Sequence, residues 1–80
     1  MMNEQRRAII ENILERLNDI LDELEALRDE ENAEYKNLPK AWKQGEQGEK
    51  MEDVLENLED ALGSLDEVVC YLEDAIAEEE

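Results

Sequence analysis

Met51-Glu52-Asp53-Val54-Leu55-Glu56-Asn57, Leu58-Glu59-Asp60-Ala61-Leu62-Gly63-Ser64, Leu65-Asp66-Glu67-Val68-Val69-Cys70-Tyr71 and Leu72-Glu73-Asp74-Ala75-Ile76-Ala77-Glu78 are four consecutive sevens with one grammar. Lettered a to g with Met51 at a, each is apolar at a, d and e and acidic at b and c. Steps of three and four residues return a side chain to the same face of an α-helix, so the repeat predicts a helix that packs lengthwise on another. The first half of the chain follows the same rule less strictly, at Ile10, Ile13, Leu14, Leu17, Ile20, Leu21, Leu24 and Leu27, with Ile10 at a. Composition taken alone argues for disorder, since a net charge of −17 over 80 residues and 4% aromatic content are its usual marks. The periodicity outweighs this, because it supplies a continuous apolar face to bury.

Punctuation between the two halves is local. Asn37 can end a helix, Pro39 pushes Leu38 out of helical geometry, and Gly45 and Gly48 bracket the next start. The expectation is an all-α chain of one domain, residues 1–80. It has a helix over 4–36, a tip over 37–46 holding a possible short turn at 39–44 with Pro39 at its first position, and a helix over 47–78. So short a connection folds the helices antiparallel, into a coiled-coil-like hairpin. Folding about the tip sets Leu24 near Leu62, Leu17 near Val69, Ile10 near Ile76 and Tyr35 near Met51. It also brings Arg6 and Arg7 beside Glu78, Glu79 and Glu80.

A stripe using a, d and e is wider than a two-stranded seam requires, so part of it would stay wet in a lone hairpin. The expectation is therefore self-association, most simply two hairpins forming a four-helix bundle about a two-fold axis. The stripe comprises Ile10, Ile13, Leu14, Leu17, Ile20, Leu21, Leu24 and Leu27 in the first helix. Val54, Leu55, Leu58, Leu62, Leu65, Val68, Val69, Leu72 and Ile76 continue it in the second.

Charge narrows the classes of function. With 25 acidic against 8 basic residues, the chain lacks the basic face that nucleic acid or anionic lipid would require, so no direct binding to either is expected. No run approaches the roughly 20 apolar residues of a membrane span. The start Met1-Met2-Asn3-Glu4-Gln5-Arg6-Arg7 leads into an amphipathic pattern, and Cys70 is the only cysteine, so a cytoplasmic setting is expected. The absence of histidine removes the commonest general base and metal ligand. No acidic run has calcium-loop spacing. Neither enzyme activity nor a cofactor nor a metal is expected.

The charges are also unevenly placed. Residues 51–80 carry twelve acids and no base. Along a helix this gives one charge per roughly 3 to 4 Å, near the spacing of about 3.4 Å between phosphates of one DNA strand. Glu52, Asp53, Glu59, Asp60, Asp66, Glu67, Glu73 and Asp74 thus form a candidate acidic face for a basic host or defence protein, as a nucleic-acid mimic would. The alternative is a solvated face that keeps a bundle soluble. Tyr35, Leu38, Pro39, Trp42 and Met51 gather at the tip among Arg28, Lys36, Lys40, Lys43 and Lys50, either as a partner-binding patch or as a cluster that closes the hairpin.

The stretch Asp29-Glu30-Glu31-Asn32-Ala33-Glu34-Tyr35-Lys36-Asn37-Leu38-Pro39, followed by Trp42, Gly48 and Glu49, resembles a group of small acidic helical-hairpin proteins of bacterial phages, prophages and mobile elements. That resemblance implies a mobile-element context and nothing catalytic. Glu31-Asn32-Ala33-Glu34-Tyr35 is also similar to the coiled-coil tip of the Gre transcript-cleavage factors, whose tip acids hold magnesium inside RNA polymerase. It would nominate Glu31 and Asp29. Here, however, the preceding Gly-Asp-Leu-x is missing, Asp29 stands two residues before Glu31 rather than three, and a second domain to grip polymerase is not expected.

The resulting expectation is a non-enzymatic interaction module that pairs with itself. The alternative is an acidic mimic, and a further alternative is an antitoxin-like or chaperone-like cover whose apolar stripe meets a specific partner.

Overall fold

The computed structural model describes residues 3–78, and among them every regular element is helical. Three helices follow in order: α1 over Glu4–Lys36, α2 over Lys40–Lys43 and α3 over Glu46–Glu78. The two long helices pack on each other and α2 packs on α3. The result is a rod of 59 × 15 × 13 Å. No helix among the described residues is long and apolar enough to cross a membrane.

Each boundary has a local cause. The Asn3 side chain accepts from the Arg6 backbone N–H at 2.8 Å, satisfying one of the donors a helix start leaves open. Glu4 adds negative charge at the positive end of the helix dipole. At the far end of α1, Asn37 N–H donates to the Ala33 and Glu34 carbonyls, and Leu38 N–H to that of Tyr35. Pro39 then takes φ −56° and ψ 146°, outside helical geometry. It caps α2 rather than forming its first residue, its carbonyl accepting from Trp42 N–H at 2.9 Å and Lys43 N–H at 3.1 Å. The Gly45 carbonyl accepts from Glu49 N–H and so opens α3, whose first turn carries Glu46 and Glu49.

Gly48 is the tightest point of the tip. It is buried, and a Cβ built on it would overlap the Lys43 carbonyl and fall 2.6 Å from Lys43 Cα. Only glycine lets the end of α2 lie so close to the first turn of α3.

Burial then decides which apolar positions form the intrachain seam. In α3 the a residues Met51, Leu58, Leu65 and Leu72 and the e residues Leu55, Leu62, Val69 and Ile76 are half-buried or better. In α1 the seam comprises Ile10, Leu17 and Leu24 at a and Leu14, Leu21 and Arg28 at e. Leu21 and Leu62, at 8% and 6% exposed, are the most enclosed side chains. The seam is thin: the molecule exposes 6183 Å², whereas a compact monomer of its 9.3 kDa would expose about 5,000 Å².

Candidate interaction surfaces

Because both helices turn a and e inward and run antiparallel, the b positions of both fall on one side of the hairpin and the d and g positions on the other. Two contacts across the seam mark the b side. Arg28 Nη1 donates to Glu59 Oε1 at 3.3 Å, and the Tyr35 hydroxyl donates to Glu52 Oε1 at 2.5 Å. Each joins an e residue of α1 to a b residue of α3.

The d and g side is open, and it is apolar along α3, whereas α1 adds Arg16, Glu23 and Glu30 at g and Arg6 and Glu34 at d. Ile20, Leu27, Val54 and Val68, all at d, are 42–44% exposed, while Ile9 and Tyr71, both at g, are 57% and 70% exposed. Along α3 this side reads Val54, Asn57, Ala61, Ser64, Val68, Tyr71 and Ala75, with no charge in a segment otherwise dense in acids. The seventeen stripe residues therefore divide. Those at a and e face the other helix of their own chain. Of those at d, Ile20, Leu27, Val54 and Val68 face outward, whereas Ile13 is half-buried. Ile9 and Tyr71 were not singled out by the heptad reading, although their shared g position was a readable signal.

The acidic face lies elsewhere. Glu52, Glu59, Asp66 and Glu73 at b and Asp53, Asp60, Glu67 and Asp74 at c are all exposed. They cover the b side and outer edge of α3, away from the apolar side. Glu59 and Glu52 hold the two α1 partners just described, and no acid-on-acid cluster able to hold a metal occurs among the described residues.

Arg28 stands at e, where heptad grammar would place an apolar residue, and is half-buried. Besides Glu59 it donates to Asp29 Oδ1 from Nε at 3.2 Å and from Nη2 at 3.1 Å. The Asp29 hydrogen bonds hold its pKa above the ordinary guanidinium value. The charges of Glu59, Asp29 and Glu25 add to this, and partial desolvation opposes it. Asp29 and Glu31, two residues apart on α1, project roughly 200° apart around the helix. Asp29 pairs with Arg28 at the surface while the half-buried Glu31 stands at a seam position, so these two acids do not converge on one ion.

At the tip the candidate residues separate. Tyr35 is half-buried, bonded to Glu52, and carries Lys43 Nζ over its ring at 5.6 Å from the centroid. Its pKa is raised, first by donating to Glu52, then by burial and by the Glu52 charge. Leu38 and Met51 are half-buried and Pro39 is exposed. Trp42 is 56% exposed, so it is Tyr35 rather than the tryptophan that ties the helix ends together. At the opposite end Arg7 Nε lies 3.5 Å from Glu11 Oε1. Glu79 and Glu80, which the hairpin register sets near Arg6 and Arg7, lie outside the described residues. Cys70 is exposed at f. Compared with known proteins, the chain matches no family model, no curated protein sequence and no solved structure.

Proposed function

We propose that the chain is a non-enzymatic interaction module that works as a homodimer, two hairpins packed through their d and g sides with their acidic sides turned outward. The observation that carries this reading is the uncharged row of d and g positions along α3, from Val54 to Ala75, lying beside exposed Ile20 and Leu27. A row of d and g positions free of charge along α3, in a chain of −17, is what the core of a buried interface requires, since an interface core excludes charge, while Arg16, Glu23 and Glu30 at g of α1 fall toward its edge. The excess surface supports it too. It exceeds the value for a compact monomer by roughly 1,000 Å², and a standard interface covers about 800 Å² per partner. Sedimentation equilibrium tests the reading: the native chain should be dimeric, and Ile20→Glu should be monomeric.

A second reading concerns the other side. The eight acids at b and c are all exposed and leave the apolar side unobstructed. Dimerisation would therefore set two acidic faces outward for a basic host or defence protein, as a nucleic-acid mimic does. Charge reversal at Glu52, Asp53, Glu59 and Asp60 should abolish capture of such a protein, and unchanged capture would remove this reading. The mobile-element setting implied by the Asp29–Pro39 resemblance suits either role.

A further inference from the structure

The two ends of the rod differ in charge. Residues 35–50 carry four lysines against Glu46 and Glu49, whereas residues 66–78 carry five acids and no base. At the same end as that acidic segment, the first turns of α1 are balanced, with Arg6, Arg7 and Arg16 against Glu4, Glu11 and Glu15. The turn itself is thus mildly positive, with Asp29, Glu30, Glu31 and Glu34 behind it on α1, and the far end of α3 is strongly negative. Two copies laid tip against tip would bring the acidic ends of both α3 helices together at the opposite end of the dimer. Two copies laid tip against tail would set each basic tip over the other's acidic end.

The apolar side carries the same polarity in finer detail. Lys50 and Glu78 stand four heptads apart, both at g, and both are exposed. Between them the d and g positions hold no charge. Lys50 has only an exposed partner on its own helix, Glu46 Oε1 at 3.5 Å. Midway between the two charges is Ser64, flanked by Ala61. Antiparallel superposition of two α3 helices about Ser64 places Lys50 of each copy against Glu78 of the other. The smallest side chains then meet where the helices cross, allowing close approach. A two-fold axis perpendicular to the rod does this for both pairs at once.

We infer that the partner of the basic tip is the acidic end of a second copy, so that the dimer is assembled tip to tail with α3 on α3 and α1 on α1. This rests on the homodimer reading above and adds its orientation. On the α1 side the same arrangement brings Arg16 toward Glu30 of the second copy, both at g, and sets Glu23, the g residue between them, near its own copy at the axis.

The test uses the full chain with the lone cysteine removed and a new one placed at the tip. A nitroxide is attached to Gln44→Cys in a Cys70→Ser background, Gln44 being exposed. Pulsed dipolar spectroscopy reads the distance between the two labels, and sedimentation equilibrium on the same sample reads the mass. With the two-fold at Ser64, the labels lie about twenty residues from it and should be roughly 50 to 60 Å apart. A dimer whose labels lie closer than about 30 Å would overturn the tip-to-tail orientation and leave self-association standing. A monomeric mass with no dipolar modulation would overturn self-association itself.

Discussion

The Tyr35 hydroxyl donates to Glu52 Oε1 at 2.5 Å, joining the last turn of α1 to the second turn of α3 just behind the tip. A phenol that donates to a carboxylate resists losing its proton, because ionisation would set two negative charges together. The Tyr35 pKa is accordingly raised, by the hydrogen bond first and by burial second.

In a Tyr71→Phe background, ultraviolet titration of the remaining tyrosine should therefore give a midpoint above the ordinary tyrosine value of about 10, and Glu52→Gln should lower it. Since the raised pKa belongs to the folded state, the contact stabilises fully below the unfolded tyrosine pKa and is lost as pH rises through the folded one. Melting temperature should fall above about pH 10, and by less in Tyr35→Phe.

Gly48 and Gly63 make opposite predictions from the same substitution. Gly48→Ala drives a methyl into the Lys43 backbone and should cost about 1 to 3 kcal/mol. A Cβ at Gly63 meets nothing within 4 Å, so Gly63→Ala should gain up to about 1 kcal/mol from helix propensity. Urea unfolding at one fixed protein concentration compares the two, because the stability of an associating chain depends on concentration.

Leu62 and Trp42 differ in the same way although both are large and apolar. Leu62→Ala opens a cavity at the best-enclosed point of the seam and should cost about 2 to 4 kcal/mol. Trp42→Ala removes a side chain that is 56% exposed and should change stability by no more than about 0.5 kcal/mol. A large loss of melting temperature in Trp42→Ala would mean that the tryptophan packs at the tip after all.

Both long helices and their hairpin arrangement were legible in the sequence, because heptads and the Asn37-Leu38-Pro39 break act locally. The division of the stripe was not. With apolar residues at a, d and e, a two-helix seam can take only two of the three positions, and local periodicity does not say which two. Side-chain size held the hint: Ala61 and Ala75 at d are small, while a and e of α3 carry leucine, valine, isoleucine and methionine. Arg28 at e reads from sequence as tip charge, and only its 3.3 Å bond to Glu59 shows it to belong to the seam. The packing of Gly48 on Lys43 likewise depends on the path of the whole tip.

Salt should separate the two proposed uses of the surface. Screening weakens repulsion between two chains of −17, so the homodimer should tighten between about 50 and 500 mM salt, over which the Debye length falls severalfold. A complex of the acidic face with a basic protein should weaken over the same range. Dimer affinity that falls steeply with salt would mean that charge pairs, rather than the apolar side, dominate self-association.

The most direct test of the account is sedimentation equilibrium of the native chain beside Val68→Glu, with circular dichroism on both. Val68 is exposed at d and lies off the intrachain seam. The native chain should sediment at twice its 9.3 kDa mass, and Val68→Glu should sediment at that mass with its helical signal largely kept. A native chain that stays monomeric and fully helical, or a Val68→Glu variant that still dimerises, would contradict it.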